Sequence, residues 1–252
     1  MTRPSETRGA GRKNWLVPAI IVVIAVALIA GVLLMNRGDD TAAGAASGSD
    51  PQVQGPAAQD PGAQDPGAAD FTAVESRVEG DPLAVGPVDA PVGLVVFSDY
   101  QCPYCAKWSQ ETLPLMMEHV EAGDLRIEWR DLQLFGPASE RASRAALAAA
   151  RQDAFLEYHD ALFAGGERRP EEQLSDEALI SLAGDMGLDT GTFTTDYNST
   201  ETAEVVAENA QLGIDLGAYS TPAFILGGQP IMGAQPSEVF QDAFGTALAE
   251  NQ

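Results

Sequence analysis

From residue 71 onward the order of patterns predicts an α/β sheet domain interrupted by a helical insertion. Three observations carry that expectation. GLVVFS at 93–98 is a short apolar run of the kind found in a strand buried on both faces. LRIEWRDLQL at 125–134 alternates Leu125, Ile127 and Trp129 against Arg126, Glu128 and Arg130, as a strand with one polar face does. Before the strand pattern returns at PAFILGG, 222–228, residues from about 138 to 215 are dense in good helix formers.

Taken in order, FTAVESRV at 71–78 reads as a first edge strand, and EGDPLAVGPVDAPV at 79–92 as a loop broken by Pro82, Pro87 and Pro91. The buried strand at 93–98 leads through DYQ into a helical pattern from Cys102 to about Ala122, bent at Pro114. After the strand at 125–134, residues 139–166 form one long helical stretch ending in two glycines. SDEALISLAGDMG opens on Ser175, a good N-cap, with Ala178, Leu179 and Leu182 at helical spacing. TAEVVAENAQLGIDLG supplies a third helical piece. PAFILGG pairs with QPIMG through Gly227–Gly228, and a last amphipathic helix begins at Pro236 and Ser237.

The N-terminal part is of another kind. Trp15–Met35 is a run of 21 residues without a charge. At about 1.5 Å per helical residue it spans roughly 30 Å, a hydrocarbon core. The 38 residues up to Gly38 carry a net +4, and the whole chain −23, which leaves −27 for the rest. Basic residues before the span and Asp39 and Asp40 after it place the N-terminus in the cytoplasm by the positive-inside rule. The rival reading, a cleavable signal peptide, expects a shorter apolar stretch, although AGAAS at 44–48 offers small residues for cleavage. Both readings export the domain C-terminal to the apolar run. The domain expectation is a basic tail at 1–14, a transmembrane helix at 15–35, a linker at 36–70 and the folded domain at 71–252. The linker is rich in Ala, Gly, Asp, Gln and Pro, repeats AQDPG at 58–62 and 63–67, and lacks apolar periodicity, so it reads as a disordered tether. The acidic balance argues against a nucleic-acid partner, because a phosphate backbone needs Lys and Arg to neutralise it.

Cys102 and Cys105 are the only cysteines, spaced C-x-x-C. A structural zinc site needs four ligands, and His119 and His159, the only histidines, fit no finger spacing. Both lie in helical stretches with polar neighbours and read as surface or half-buried residues. Covalent haem needs a His at 106, which is Ala. No metal or cofactor is expected. As a staple the pair closes too small a loop to remove much entropy from the unfolded chain. In an exported domain a bond between them is expected, and the useful question is its reactivity. Cys102 falls where a buried strand has ended and a helix begins, so unpaired N–H groups and the helix dipole favour a thiolate there. Pro103 suits the first helical position.

PVGLVVFSDYQCPYCAKW, 91–108, closely resembles the active-site segment of DsbA-like thiol–disulfide oxidoreductases on the thioredoxin fold. AALAAARQDAFLEYHDALFA resembles that family's helical insertion, and YSTPAFILGG its cis-proline segment. The resemblance implies that Cys102 is the exposed, attacking cysteine and Cys105 the shielded, resolving one. It implies that Pro103 and Tyr104 tune the pair, that Pro222 is a cis-proline beside it, and that the Thr221 backbone pairs with a client peptide. Many relatives carry a buried carboxylate six residues before the attacking cysteine, and that position here is Val96. Asp99 is a candidate substitute, or equally a turn residue or helix cap. Trp108 and Phe97 read either as an apolar client surface or as core. The implied function is a membrane-tethered extracytoplasmic enzyme that oxidises cysteine pairs in exported proteins and is reset by a membrane or soluble redox partner. A reductase or isomerase on the same parts, and a non-catalytic thioredoxin-like interaction domain, are the alternatives.

Overall fold

The computed structural model describes residues 71–251. The tail at 1–14, the span at 15–35 and the linker at 36–70 lie outside the described residues. Among the described residues, no helix is long and apolar enough to cross a membrane.

Five strands form one sheet in the order β1-β3-β2-β4-β5. They are β1 Ala84–Val85, β2 Val92–Phe97, β3 Leu125–Trp129, β4 Ala223–Leu226 and β5 Gln229–Met232. β2 is central, parallel to β3 and antiparallel to β4, and every one of its residues is buried. A strand covered on both faces needs an unbroken apolar run, and Val92 to Phe97 supply it. Leu94 and Val96 face the larger core, while Val95 and Phe97 face a smaller one with Leu132, Ala218, Ala223 and Ile225.

Helices α1 Pro103–Glu111 and α2 Leu113–Glu121 follow β2. The chain breaks at Thr112, and Pro114 sits in the first turn of α2, where its missing N–H costs little. The expected single bent helix is therefore two. The insertion is α3 Pro137–Ala150, α4 Phe155–Leu162, α5 Asp176–Asp185, α6 Thr190–Tyr197 and α7 Thr200–Asp215, close to the expected bounds. The stretch expected as one helix over 139–166 divides because Asp153 takes a left-handed φ of 60°. Most of α3 is buried, and its alanines let neighbouring helices approach on several sides. Ser175 caps α5, accepting from the Ala178 amide at 3.2 Å. Gly213 lets α7 lie on the smaller core, since a Cβ there would strike Leu132 and Phe97. Gly227 and Gly228, at φ 54° and 74°, make the tight β4–β5 turn. The last helix, α8 Ser237–Glu250, buries Phe240, Phe244 and Ala247.

Two expectations at the domain's start are corrected. Residues 71–78 do not form a strand: Thr72–Val74 is a single 3₁₀ turn, and the chain then runs as a strap. The edge strand is β1, inside the segment expected as loop, and it is short because Pro82 and Pro87 flank it. The polar face of β3 is not in solvent either, for Arg126, Glu128 and Arg130 are all buried under the strap. Glu128 accepts from the amides of Ser76 and Arg77 at 2.9 and 2.8 Å, and from Arg126 and Arg130 at 2.8 and 3.0 Å.

Candidate active site

The site forms where β2 ends. Asp99 turns the chain: its Oδ1 accepts from the Gln101 amide at 2.8 Å, and its backbone carbonyl accepts from the Cys102 amide at 2.9 Å. Cys102 is the N-cap of α1, with extended φ and ψ of −88° and 119°, and Pro103 opens the helix. The Cys102 carbonyl accepts from the amides of Cys105 and Ala106, so the two residues lie one helical turn apart with their thiols side by side. Both thiols are unbonded at the start of α1.

The Thr221–Pro222 bond is cis, as the family resemblance implied. It brings the Thr221 carbonyl to 3.2 Å from Cys102 Sγ, which donates to it. This contact corrects one expectation. Cys102 is 2% exposed and Cys105 1%, so the Cys102 sulfur is not open in the way the resemblance implied but lies against the Thr221–Pro222 loop.

The two thiols differ in acidity. Cys102 is lowered to about 6, first by the Cys105 thiol beside it, then, against the effect of burial, by Thr221 and the amides of Cys105 and Tyr104. The helix N-terminus thus contributes as expected, but the neighbouring thiol contributes more. Cys105 is pushed well above the ordinary thiol range by burial and by the Cys102 sulfur, against contacts with Ser98 and the Asp99 backbone. One sulfur is poised as a thiolate and the other is kept protonated.

Asp99 is fully buried and spans two loops. Besides Gln101, it accepts from the amides of Leu134 and Phe135 at 2.8 and 3.3 Å. Burial raises its pKa, opposed by Ser139 and these amides. Its role is therefore that of the turn residue, bracketing the cysteine turn to the loop after β3. Val96 lies in β2 facing the cysteine side of the sheet, with no carboxylate at that position.

Trp108 and Phe97 are both core. Trp108 packs on Phe224 and Phe240 at 4.8 and 5.9 Å between ring centres, and Phe97 sits in the smaller core. Exposed apolar groups are Tyr104 between the cysteines, Leu134 and Phe135, whose amides bond Asp99, and Tyr219 just before Thr221, of which sequence reasoning named only Tyr104. For Leu134, Phe135 and Tyr219 the signal was their position in loops, where large apolar residues have no core to enter. His119 is half-buried as expected, stacked on Phe244 and bonded to Gln241 Oε1 at 2.8 Å. His159 is the opposite of what was expected. It is wholly buried, its ring nitrogens meeting Tyr100 Oη at 3.1 Å and Ser109 Oγ at 3.0 Å, and burial lowers it to about 4, so it is neutral. Phe155, Tyr158 and Leu162 at helical spacing around it were the missed signal.

Asp131, which sequence reasoning did not single out, is buried two residues beyond β3, and burial and the nearby Asp99 raise it to about 8.

Residues 78–244 match the family model described as Thioredoxin, and the chain belongs to that family. The Na(+)/H(+) antiporter NhaA 1 of Salinispora arenicola (strain CNS-205) is 33% identical over 168 residues, 65% of this chain and 24% of that protein. This chain therefore spans about a quarter of the length of that relative. The probable disulfide bond formation protein D of Bacillus anthracis is 26% identical over 150 residues, 58% of this chain and 69% of that one. The crystal structure of oxidised BdbD from Bacillus subtilis aligns with a TM-score of 0.62 at 21% identity, covering 72% of this chain and 97% of the other, which shows a shared fold. The resemblance to DsbA-like thiol–disulfide oxidoreductases holds in sequence and in fold.

Proposed function

We propose that this chain is a membrane-tethered, extracytoplasmic thiol–disulfide oxidoreductase that forms disulfides in exported proteins through Cys102 and Cys105. The observation that carries the reading is the placement of Cys102: it caps α1, against the carbonyl of Thr221 at a cis Thr221–Pro222 bond. In the oxidised enzyme a client thiolate attacks Cys102 Sγ. The bond to Cys105 breaks, Cys105 leaves as a thiolate and takes a proton, and a client–Cys102 mixed disulfide forms. A second client thiolate attacks the client sulfur and Cys102 leaves. A sulfur lowered to about 6 is a good leaving group, which favours this direction. The client loses two electrons, the enzyme gains them, and a membrane or soluble partner removes them. The name of the Bacillus anthracis relative supports the oxidising direction. Pro103 and Tyr104 tune the pair, and the Thr221 backbone holds the client strand. The charge split and the apolar run at 15–35 support the tether and the export.

The test is the equilibrium reduction potential of the pair, together with trapping. A potential well above that of structural disulfides is expected; a low value makes the chain a reductase. Cys105→Ser is expected to hold clients as mixed disulfides on non-reducing gels of membranes, and Cys102→Ser to hold none. Equal adducts from both variants, or none from either, overturn the assignment. The near-complete closure of Cys102 favours a second reading, a non-catalytic interaction domain whose thiols are inert. Rapid alkylation of Cys102 alone at mildly acidic pH excludes it.

A further inference from the structure

Asp131 stands where the sheet meets the cysteines. β2 and β3 run parallel with Val96 opposite Trp129, and the ladder continues past the strand ends, the Leu132 amide donating to the Ser98 carbonyl. That register puts Asp131 beside Ser98. Side chains alternate along a strand, so Ser98 follows Val96, and Asp131 follows Trp129, onto the face that carries Cys102 and Cys105. Ser98 meets the Cys105 thiol. The Asp131 carboxyl is buried, and among the described residues no group bonds its Oδ1. A buried polar atom left unpaired in a native fold calls for a reason.

We propose that Asp131 is the positioning residue for the Cys105 proton, acting through the Ser98 hydroxyl. When a client thiolate displaces Cys105 from Cys102, the Asp131 carboxylic acid gives its proton toward Ser98, and Ser98 passes one to the Cys105 thiolate. Asp131 ends as carboxylate and Cys105 as thiol; the two electrons come from the client thiols. On reoxidation the proton returns by the same route before Cys105 attacks. Val96 cannot do this, and Asp99 is engaged with three backbone amides.

The surroundings keep the carboxyl neutral until the thiolate forms. The loop after β2 brings Asp99 and the Tyr100 phenol, itself bonded to neutral His159 of α4. α1 brings Cys105. α3 brings only the hydroxyls of Ser139 and Ser143, since Arg141 and Arg144 bond the carbonyls of Leu174 and Tyr197. On β3's own continuation Arg130 turns away, to Ser76, Asp81 and Glu128. Desolvation and the like charge of Asp99 favour the acid form, and they outweigh the opposing pull of Ser143 and of the Arg130 charge.

The inference rests on the oxidoreductase reading, and two measurements separate them. The first is the rate at which the oxidised domain reacts with a cysteine-bearing peptide, normalised to peptide thiolate, against pH. For the wild type it is expected to fall through about pH 8, where Asp131 loses its proton. Asp131→Asn is expected to be on the order of tenfold slower at pH 7 and to lack that inflection. Ser98→Ala is expected to lose it too, with Asp131 in place. An inflection that survives Asp131→Asn overturns the inference, as it would if Asp131 served packing alone. The second needs no client. In Cys102→Ser the thiolate absorbance of Cys105 is titrated with and without Asp131→Asn, and removing the neighbouring carboxylate is expected to lower the Cys105 pKa by about a unit or more. An unchanged titration overturns the inference and leaves the oxidoreductase reading standing. A wild type that exchanges with no thiol at any pH overturns that reading, while the titration still decides whether Asp131 acts on Cys105.

Discussion

Glu128 and Asp131 lie three residues apart on one strand and its extension, both buried, and their surroundings drive them in opposite directions. Burial alone would raise Glu128, but Arg126, the amides of Ser76 and Arg77, and Arg130 hold it below the usual carboxylate range. Asp131, on the other face, has no cation bonded to it and an Oδ1 without a partner among the described residues. Burial and Asp99 raise it to about 8 against the weaker pull of Ser143 and Arg130. A buried carboxylate given cations and amides serves as a structural anchor, fixing the strap at 75–81 to the sheet. A buried carboxylate denied them keeps its proton and can donate it. The same strand therefore separates structure from chemistry by facing them to opposite sides.

Glu128→Ala gives the sharpest break of that contrast. It leaves the Arg126 and Arg130 guanidiniums buried and is expected to cost about 3–5 kcal/mol in urea unfolding at pH 7. Asp131→Asn is expected to go the other way above pH 8. The raised pKa means that the unfolded chain holds fewer protons than the fold between the two values, so the wild type loses stability as pH climbs from about 4, an ordinary Asp, through about 8. The Asn variant lacks that loss, and its unfolding curve should be flatter across this window. Glu128 has the opposite sign: its lowered pKa adds stability above the ordinary Glu range that disappears as acid protonates it. If both variants destabilise equally at pH 8, the contrast between the faces is wrong.

A smaller effect comes from Cys102. Its lowered pKa stabilises the reduced fold above the ordinary thiol range, and this stability is lost as pH falls through about 6. The reduced domain is expected to gain on the oxidised one between pH 6 and 9, by at most about 4 kcal/mol before solvent screening. Paired thermal melts across that range measure it. A gap that does not vary with pH would mean that the fold does not favour the Cys102 thiolate.

These contrasts mark what the sequence could and could not show. The central strand was legible because Gly93 to Ser98 has only one way to be buried on both faces, and the turn into Cys102-Pro103 marked a helix start by local chemistry. Ser175 and the Gly227–Gly228 turn were legible for the same reason. The polar face of β3 was misread because its cover comes from Ser76 and Arg77, about 50 residues upstream, in a strap with no periodic pattern. Closure of Cys102 depends on Thr221, 119 residues away. Asp131 carries no periodic signal, and its neighbours come from elsewhere in the chain, Asp99 from the loop after β2 and Ser143 from α3. His159 could have been found, since Phe155, Tyr158 and Leu162 share its stripe.

Asp99 is the intermediate case and gives the finest test. It is as buried as Glu128, but its partners are neutral amides rather than guanidiniums. Amides satisfy a carboxylate's lone pairs without supplying a charge, so its pKa is raised, by burial first, while Ser139 and the amides of Gln101, Phe135 and Leu134 pull it down. Asp99→Asn keeps one carbonyl oxygen and turns the other position into a donor. That donor must face either Gln101 or the Leu134–Phe135 amides, all of which are donors themselves. A buried donor set against a donor is expected to cost about 1–3 kcal/mol, less than the loss at Glu128. The location of the damage is more telling than its size. Hydrogen exchange should quicken at Gln101 or at Leu134 and Phe135, according to which way the side-chain amide turns. The strap amides of Ser76 and Arg77 should be unaffected, because they bond Glu128 and not Asp99. Quickening at the strap instead would join the Asp99 and Glu128 clusters into one polar network and remove the distinction between them.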